Sequence, residues 1–557
     1  MKNKYILITL FLIVNLFACN EEFLEEKPLD FIAAENAFET YSDFQLSVNN
    51  LYKLVRREFY GRDENYPMDY IYGTDLVFDG QPSVRRFTPY TSSMQPSGGA
   101  NIPRTHWQDL YKIVAESNTI ISRLEEASLS DAEKKQVEAE AKFFRAFTYR
   151  TLAYLFGGVP LSLEEVKSPR YDYTRATKKE VLEQCIADAN FAAENLKGAS
   201  EVQDGQINPL IAQHLLAELY LANDEPQKAI TAATIVIDDP NTALMQERFG
   251  SRANEEPGDV YWDLYRRQNQ NRAAGNTEGI WVIQFELDII GGSLSSTGRG
   301  GAALYERHHP PMVRDYSEDG KRLFSWPMGD YTGGRGIGWA VSTTYFTNTI
   351  WESDWDNDIR NANHNFVREY VYTNKSYPDS FGKTVSTENP PAGVTVPSRA
   401  FYAYQSKVTT PFNHPSALYA NSESVALKSS AGATYTDQYM FRLAETYLLR
   451  AEAYLKAGNA GAAAADINAI RNRVNAAPVS GADVDIEYIL DERMRELGIE
   501  EKRRLTLMRL GLLYDRVKKC NPYYETIEPH HNLWPIPFSE IERNTEAEIT
   551  QNPGYLQ

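Results

Sequence analysis

Residues 439–474 read YMFRLAETYLLRAEAYLKAGNAGAAAADINAIRNRV, and residues 489–511 read ILDERMRELGIEEKRRLTLMRLG. In the first stretch Leu443, Tyr447, Ala451 and Tyr454 recur at helical spacing, which predicts an amphipathic helix with one apolar face. Gly458-Asn459 supplies residues that tolerate the left-handed conformation ending a helix, and a second helix is predicted from around Gly461. The block is therefore a helical hairpin. The same spacing occurs earlier: Tyr220 precedes Ala229 as Tyr454 precedes Ala463, a tyrosine closing one helix and an alanine admitting close approach of the next. That is the arrangement of tetratricopeptide repeats, whose hairpins need about three or more stacked neighbours for stability. A further unit is predicted from 131–156 and 178–196, where Leu182, Ile186, Ala189 and Leu196 form the apolar face.

Outward from these hairpins, helices are predicted at Phe44–Arg56, Trp107–Leu124 and Asp131–Phe156. Ser130 and Glu133 form a capping box for the third, and Gly157-Gly158-Val159-Pro160 stops it. Residues 60–105 and 255–435 read differently, rich in Gly, Pro, Asn, Asp and aromatics, with a strand predicted at Gly279–Glu286. Insertions of this length inside a compact domain point to functional surface. The predicted fold class is mainly α: a tetratricopeptide-like helical-hairpin scaffold with a large, loop-rich, irregular insertion carrying short strands. One domain is expected over 41–557, with scaffold at about 41–60, 106–250 and 436–520 and the loop-rich part at about 61–105 and 251–435.

At the amino terminus Lys2 and Lys4 precede an apolar run from Tyr5 to Phe17 and then Ala18-Cys19. This reads as a secretory signal over 1–18; the run is too short for the about 20 helical residues that cross a bilayer. Leu16-Phe17-Ala18-Cys19 resembles a lipobox, so Cys19 is expected to be lipidated, with 19–40 as a tether and outer-membrane anchoring through two or more acyl chains. The acidic Asn20-Glu21-Glu22 resembles the surface-export signal of Bacteroidetes lipoproteins. A formal net charge of −19 over 557 residues would repel phosphate backbones, which excludes nucleic acid as the expected partner. Beyond Cys19 only Cys185 and Cys520 remain, without CxxC spacing; pairing is possible, and two isolated small hydrophobes is the preferred reading.

The densest chemical signal is aromatic. Trp326, Tyr331, Trp339, Trp351 and Trp355 are threaded with Gly329, Gly333, Gly334, Gly336 and Gly338. Sugar rings present flat C–H faces to indoles and phenols, and flanking polar groups bond the hydroxyls. Trp326, Tyr331, Trp339 and Trp351 are the candidate platforms; the alternative is that such rings anchor a subdomain poor in regular structure. Asp354, Asp356 and Asp358 stand at the first, third and fifth places of a calcium loop, but Ile359 and Asn365 replace its Gly and bidentate Glu, so no metal is expected. Gly334-x-Gly336-x-Gly338 has no strand before it and no helix after, so it reads as a loop. No cofactor motif and no GxSxG, HExxH or P-loop appears.

Several of these stretches together resemble the RagB/SusD family of outer-membrane glycan-binding lipoproteins. They are Arg442–Glu452, Asn468–Arg473, Glu492-Arg493, Glu496-Leu497, Phe143–Leu161, Glu278–Gln284, Pro535-Ile536-Pro537 and Gln551-Asn552-Pro553-Gly554-Tyr555. Two positions depart from the family pattern: Glu501, often Gly, and Thr506, often Asp. The resemblance implies four hairpin units. It also implies a non-catalytic role: capture of oligosaccharides and delivery to a SusC-like TonB-dependent transporter. Gly73-Thr74-Asp75 looks like the family's pattern near the glycan site, which adds Asp75, Tyr70, Arg85, Tyr90 and Asn101 as candidates. Asp75 and Arg85 read equally as polar contacts or as loop-holding ion pairs, and Trp107 as packing. Two other functions stay open: a glycoside hydrolase using a carboxylate pair, and a surface lipoprotein binding peptide or another nutrient.

Overall fold

A computed structural model of the chain describes residues 38–61, 67–83, 85–97, 102–286, 304–325, 334–428, 431 and 436–556. The expected Cys19 anchor and the signal segment lie outside them. Within them the scaffold is a stack of helical hairpins. The first pairs α1 (Tyr41–Tyr60) with α2 (Ile102–Arg123), and the second pairs α3 (Asp131–Phe156) with α4 (Lys178–Asn195). The third pairs α5 (Pro209–Ala222) with α6 (Pro226–Ile237), and the fourth pairs α7 (Leu443–Lys456) with α8 (Ala460–Arg473). Helices α9 (Ile486–Glu496), α10 (Arg503–Leu510) and α11 (Leu513–Cys520) follow. None of the described helices is long and apolar enough to cross a membrane.

The sequence signals act as read. Ser130 caps α3, accepting from Glu133 N at 3.4 Å while Glu133 accepts from Ser130 N at 2.9 Å, and Gly157 at φ 74° turns the chain away. The two tyrosine hairpins close with the same backbone bond. Glu225 N donates to Tyr220 O and Asn459 N to Tyr454 O, each at 2.8 Å, and Ala229 and Ala463 are buried where the second helix crosses. Helices α1 and α2 run further than their apolar faces predict, because their ends are fixed by tertiary burial of Phe59, Tyr60 and Ile102.

The loop-rich part holds antiparallel strand pairs of two to five residues, short because they have few partners to bury against. Two matter for the site. β1 (Val77–Asp79) pairs with β3 (Ala340–Ser342), Phe78 opposite Val341. β2 (Gly279–Ile283) pairs with β4 (Gln438–Arg442). The predicted strand at 279–286 ends early because Asp437 takes over: its carboxylate accepts from Phe285 N and Glu286 N at 2.6 and 2.9 Å. Trp281 carries β2 into the scaffold, packing edge-on against Phe143 and Phe147 of α3 at 5.5 and 5.2 Å, with Phe441 of β4 at 5.6 Å. Cys185 and Cys520 are buried free thiols, and burial raises the pKa of both.

Candidate functional site

The loop after β1 and the loop before β3 meet at one point. Ile337 N, Gly338 N and Trp339 N donate to Arg307 O, Pro310 O and His308 O at 2.8–3.0 Å. This close backbone approach explains the alternating glycines. A Cβ at Gly336 would lie 2.5 Å from Pro310 O, and one at Gly338 (φ +61°) would lie 2.1 Å from Arg399 O. The segment delivers Trp339 partly buried, its ring 4.8 Å from His308, with the indole N–H buried and unpartnered. Trp339 O accepts from Gly80 N at 2.7 Å, which fixes the tryptophan beside the end of β1.

On β1, Asp79 organises the loop that follows. Its carboxylate accepts from Gln81 N, Gln81 Nε2 and Arg86 N at 2.9, 3.0 and 2.7 Å. Burial pushes its carboxyl up to about 6 against the pull of those bonds. Arg85 is exposed and donates from Nε to Gln81 O at 3.0 Å. Phe78 stacks on Tyr523 with ring centroids 3.7 Å apart and planes 19° from parallel, and Tyr523 keeps 39 % of its surface exposed. Residues 78–80 therefore touch both segments, Gly80 through the Trp339 backbone and Phe78 through the Tyr523 ring, and each of the two aromatics is backed by another ring.

Several of the predicted site residues lie elsewhere. Asp75 is fully buried; Arg503 holds it through 2.9 and 2.7 Å bonds and Arg516 through one of 2.9 Å. Burial raises its carboxyl, but the two guanidiniums outweigh that and hold it at about 2. Tyr90 is buried, donating to Gly73 O at 2.6 Å and accepting from Arg504. Tyr70 is buried and donates to Glu58. Glu58 and Asp69 sandwich His106 at 2.6 and 3.3 Å, and the two carboxylates overcome burial to raise its pKa to about 9. Trp351 is fully buried, its Nε1 donating to Phe346 O at 2.9 Å. With no accessible surface, Asp75, Tyr70, Tyr90 and Trp351 are corrected from ligand contacts to framework: they hold the loops instead of facing solvent. Trp326, Tyr331 and Asn101 lie outside the described residues.

Asp354 accepts from Arg471 and from Ala477 N, and Asp358 accepts from Arg360. These oxygens tie the loop down, and among the described residues no group of three or more His, Cys, Asp and Glu gathers to hold a metal. Tyr523 escaped the sequence reading because it comes from the far end of the chain. Its signal is the Asn521-Pro522 turn after α11, which marks a loop and says nothing of what it meets.

Known proteins place the chain. The model of the SusD family matches residues 252–555, and one described as "starch-binding associating with outer membrane" matches residues 23–221. A SusD-like protein of Formosa agariphila is 24 % identical over 601 residues, covering the whole of both chains. The starch-binding protein SusD of Bacteroides thetaiotaomicron is 36 % identical over 140 residues, 23 % of this chain and 24 % of that one. A solved laminarin-binding SusD-like protein shares the fold with a TM-score of 0.65 at 20 % identity, covering 93 % of this chain and all of its own. With the family pattern running through more than half of its length and the hairpin scaffold beneath it, the chain belongs to the SusD/RagB family.

Proposed function

We propose that this protein captures oligosaccharides at the outer membrane, anchored through Cys19, and hands them to a SusC-like TonB-dependent transporter. The observation that carries the reading is the pair of aromatics, the partly buried Trp339 and the exposed Tyr523, both held against residues 78–80, with Gln81 and Arg85 in the loop that follows. Rings held from behind lose little freedom on binding, so stacking on a pyranose face is gained at small entropic cost. The starch- and laminarin-binding names of relatives, and the outer-membrane association in the family description, support the same reading. No residue need titrate or attack: the work is affinity and transfer.

The test is affinity electrophoresis of the soluble chain starting after Cys19, through gels containing plant, microbial and host polysaccharides. Retardation by a polysaccharide without release of reducing ends is expected. Release of reducing ends that one carboxylate substitution abolishes would replace the reading with a glycoside hydrolase, and retardation by none would overturn it. Trp339→Ala is expected to weaken binding by about 1–3 kcal/mol, roughly 5- to 150-fold in Kd, with little change in melting temperature. Calorimetric titration checks this; unchanged affinity with a lowered melting temperature would make Trp339 core. Tyr523→Ala removes the second face while leaving Phe78 in place. Its expected loss is about 1 kcal/mol, read in the same titration.

A further inference from the structure

A second cleft lies away from β1, between α2, the connection from α3 to α4 and the C-terminal segment around 540–549. Its volume is about 700 Å³, within the range of about 300–1,000 Å³ usual for small-ligand sites. The floor is aromatic. Trp107 and Tyr111 of α2 lie 4.9 Å apart, Phe156 braces Trp107 edge-on at 5.0 Å, and Tyr111 is pinned by donating to Pro160 O at 2.6 Å. The opposite wall is Tyr171 and Tyr173. Asn544 clamps Tyr173 through two 2.8 Å bonds to its backbone N and O, and Glu546 N holds Tyr171 O at 2.8 Å. The Tyr171 ring stays 45 % exposed. The Trp107 and Tyr111 side chains and the backbone at Tyr171 and Tyr173 are thus fixed before any ligand arrives, and Arg170 lies 4.8 Å over the Tyr173 ring.

The polar groups at its edge limit what fits. Gln108, Glu164 and Arg543 line the cleft, and none of their side chains hydrogen-bonds to another described residue. The lining carries Arg170 and Arg543 against Glu164 and Glu540, and Arg170 is itself paired with Asp172 at 3.0 Å, so the cleft offers no excess of positive charge to an anion. Aromatic lining residues, edge groups that both donate and accept, and no excess of positive charge match a neutral polyhydroxylated ring. In the sequence Trp107 read as packing alone, and Tyr171, Tyr173 and Gln108 were not singled out.

We propose that this cleft is a second carbohydrate site, taking one or two residues of a neutral oligosaccharide independently of the Trp339 site. The inference rests on the glycan-binding reading above. Two sites on one molecule would let it hold a polysaccharide at two points, raising avidity without a new contact at either.

The test uses the soluble chain starting after Cys19 and the hexasaccharide of whichever polysaccharide retards it in the gel, titrated calorimetrically. The wild type is expected to bind two equivalents, and Trp339→Ala one at wild-type affinity with the other weakened about 5- to 150-fold. Tyr171→Ala combined with Gln108→Ala should also bind one. Ala115→Trp, which fills the cleft from an exposed position on α2, should do the same without disturbing the core. A triple variant carrying Trp339→Ala, Tyr171→Ala and Gln108→Ala should bind none at wild-type affinity. If the cleft variants keep wild-type stoichiometry and affinity while Trp339→Ala weakens all binding, the second site is overturned and the glycan-binding reading stands. If the wild type binds no saccharide at all, both fall together.

Discussion

Glu496→Gln is expected to destabilise the protein by about 3–5 kcal/mol, the cost of removing one partner from a buried ion network. Glu496 has no exposed surface and accepts from three guanidiniums: Arg442 at 2.6 Å, Arg360 at 3.0 Å, and Arg473. Burial alone would raise its carboxyl; Arg473, Arg442 and Arg360 instead hold it well below the usual range. The three arginines come from different parts of the fold: Arg442 ends β4, Arg473 ends α8, and Arg360 sits in the loop-rich part beside Asp358. Glu278, just before β2, shares Arg442 and Arg473, and Glu492 shares Arg360. The network is therefore the seam between scaffold and insertion, and its loss should loosen the insertion first. Chemical denaturation measures the total. Hydrogen exchange should show lost protection at 359–372 before α3, and uniform loss throughout would contradict the seam.

The hairpins were legible because they repeat a local rule: apolar residues at helical spacing, a tyrosine at one helix end, an alanine nine residues on. The seam was legible only as pattern. Arg442, Arg473, Glu492 and Glu496 stood out as family residues, and only the structure shows why, since their partners lie in segments no periodicity connects. The two departures from the family pattern resolve in the same way. Thr506 donates to Glu501 at 2.6 Å, and Glu501 in turn accepts from Arg493 at 2.6 Å. A carboxylate the family often carries at position 506 is supplied here from 501, so Arg493 keeps its partner. At the candidate site the reading was partial. Trp339 was named because a glycine-rich backbone lets a ring project, and the structure places it beside the end of β1. Tyr523 was not, because stacking on Phe78 joins residues from opposite ends of the sequence that no local pattern connects. The second cleft was invisible for the same reason: it exists only where α2, the α3–α4 connection and the C-terminal segment come together.

Asp75 shows how one residue type supports two readings and how a measurement separates them. A carboxylate in a Gly-Thr-Asp loop next to aromatic residues looks like a sugar contact, since it would accept from hydroxyls. The structure instead turns it inward, where Arg503 and Arg516 of the C-terminal helices take both oxygens. Asp75→Asn should therefore cost about 3–5 kcal/mol of stability, because two buried guanidiniums lose their shared charge. Saccharide affinity per folded molecule should stay unchanged. The pH dependence carries the sign. The folded pKa of about 2 lies below the unfolded value near 3.9, so the stabilisation is fully present above about pH 4. It is lost as pH falls from about 4 to 2, and amounts to about 3 kcal/mol. Wild type and Asp75→Asn should thus converge in stability over that interval and stay parallel above it. A variant that keeps its stability at pH 7 but loses saccharide binding would return Asp75 to the ligand site, with the loop opening to let it out.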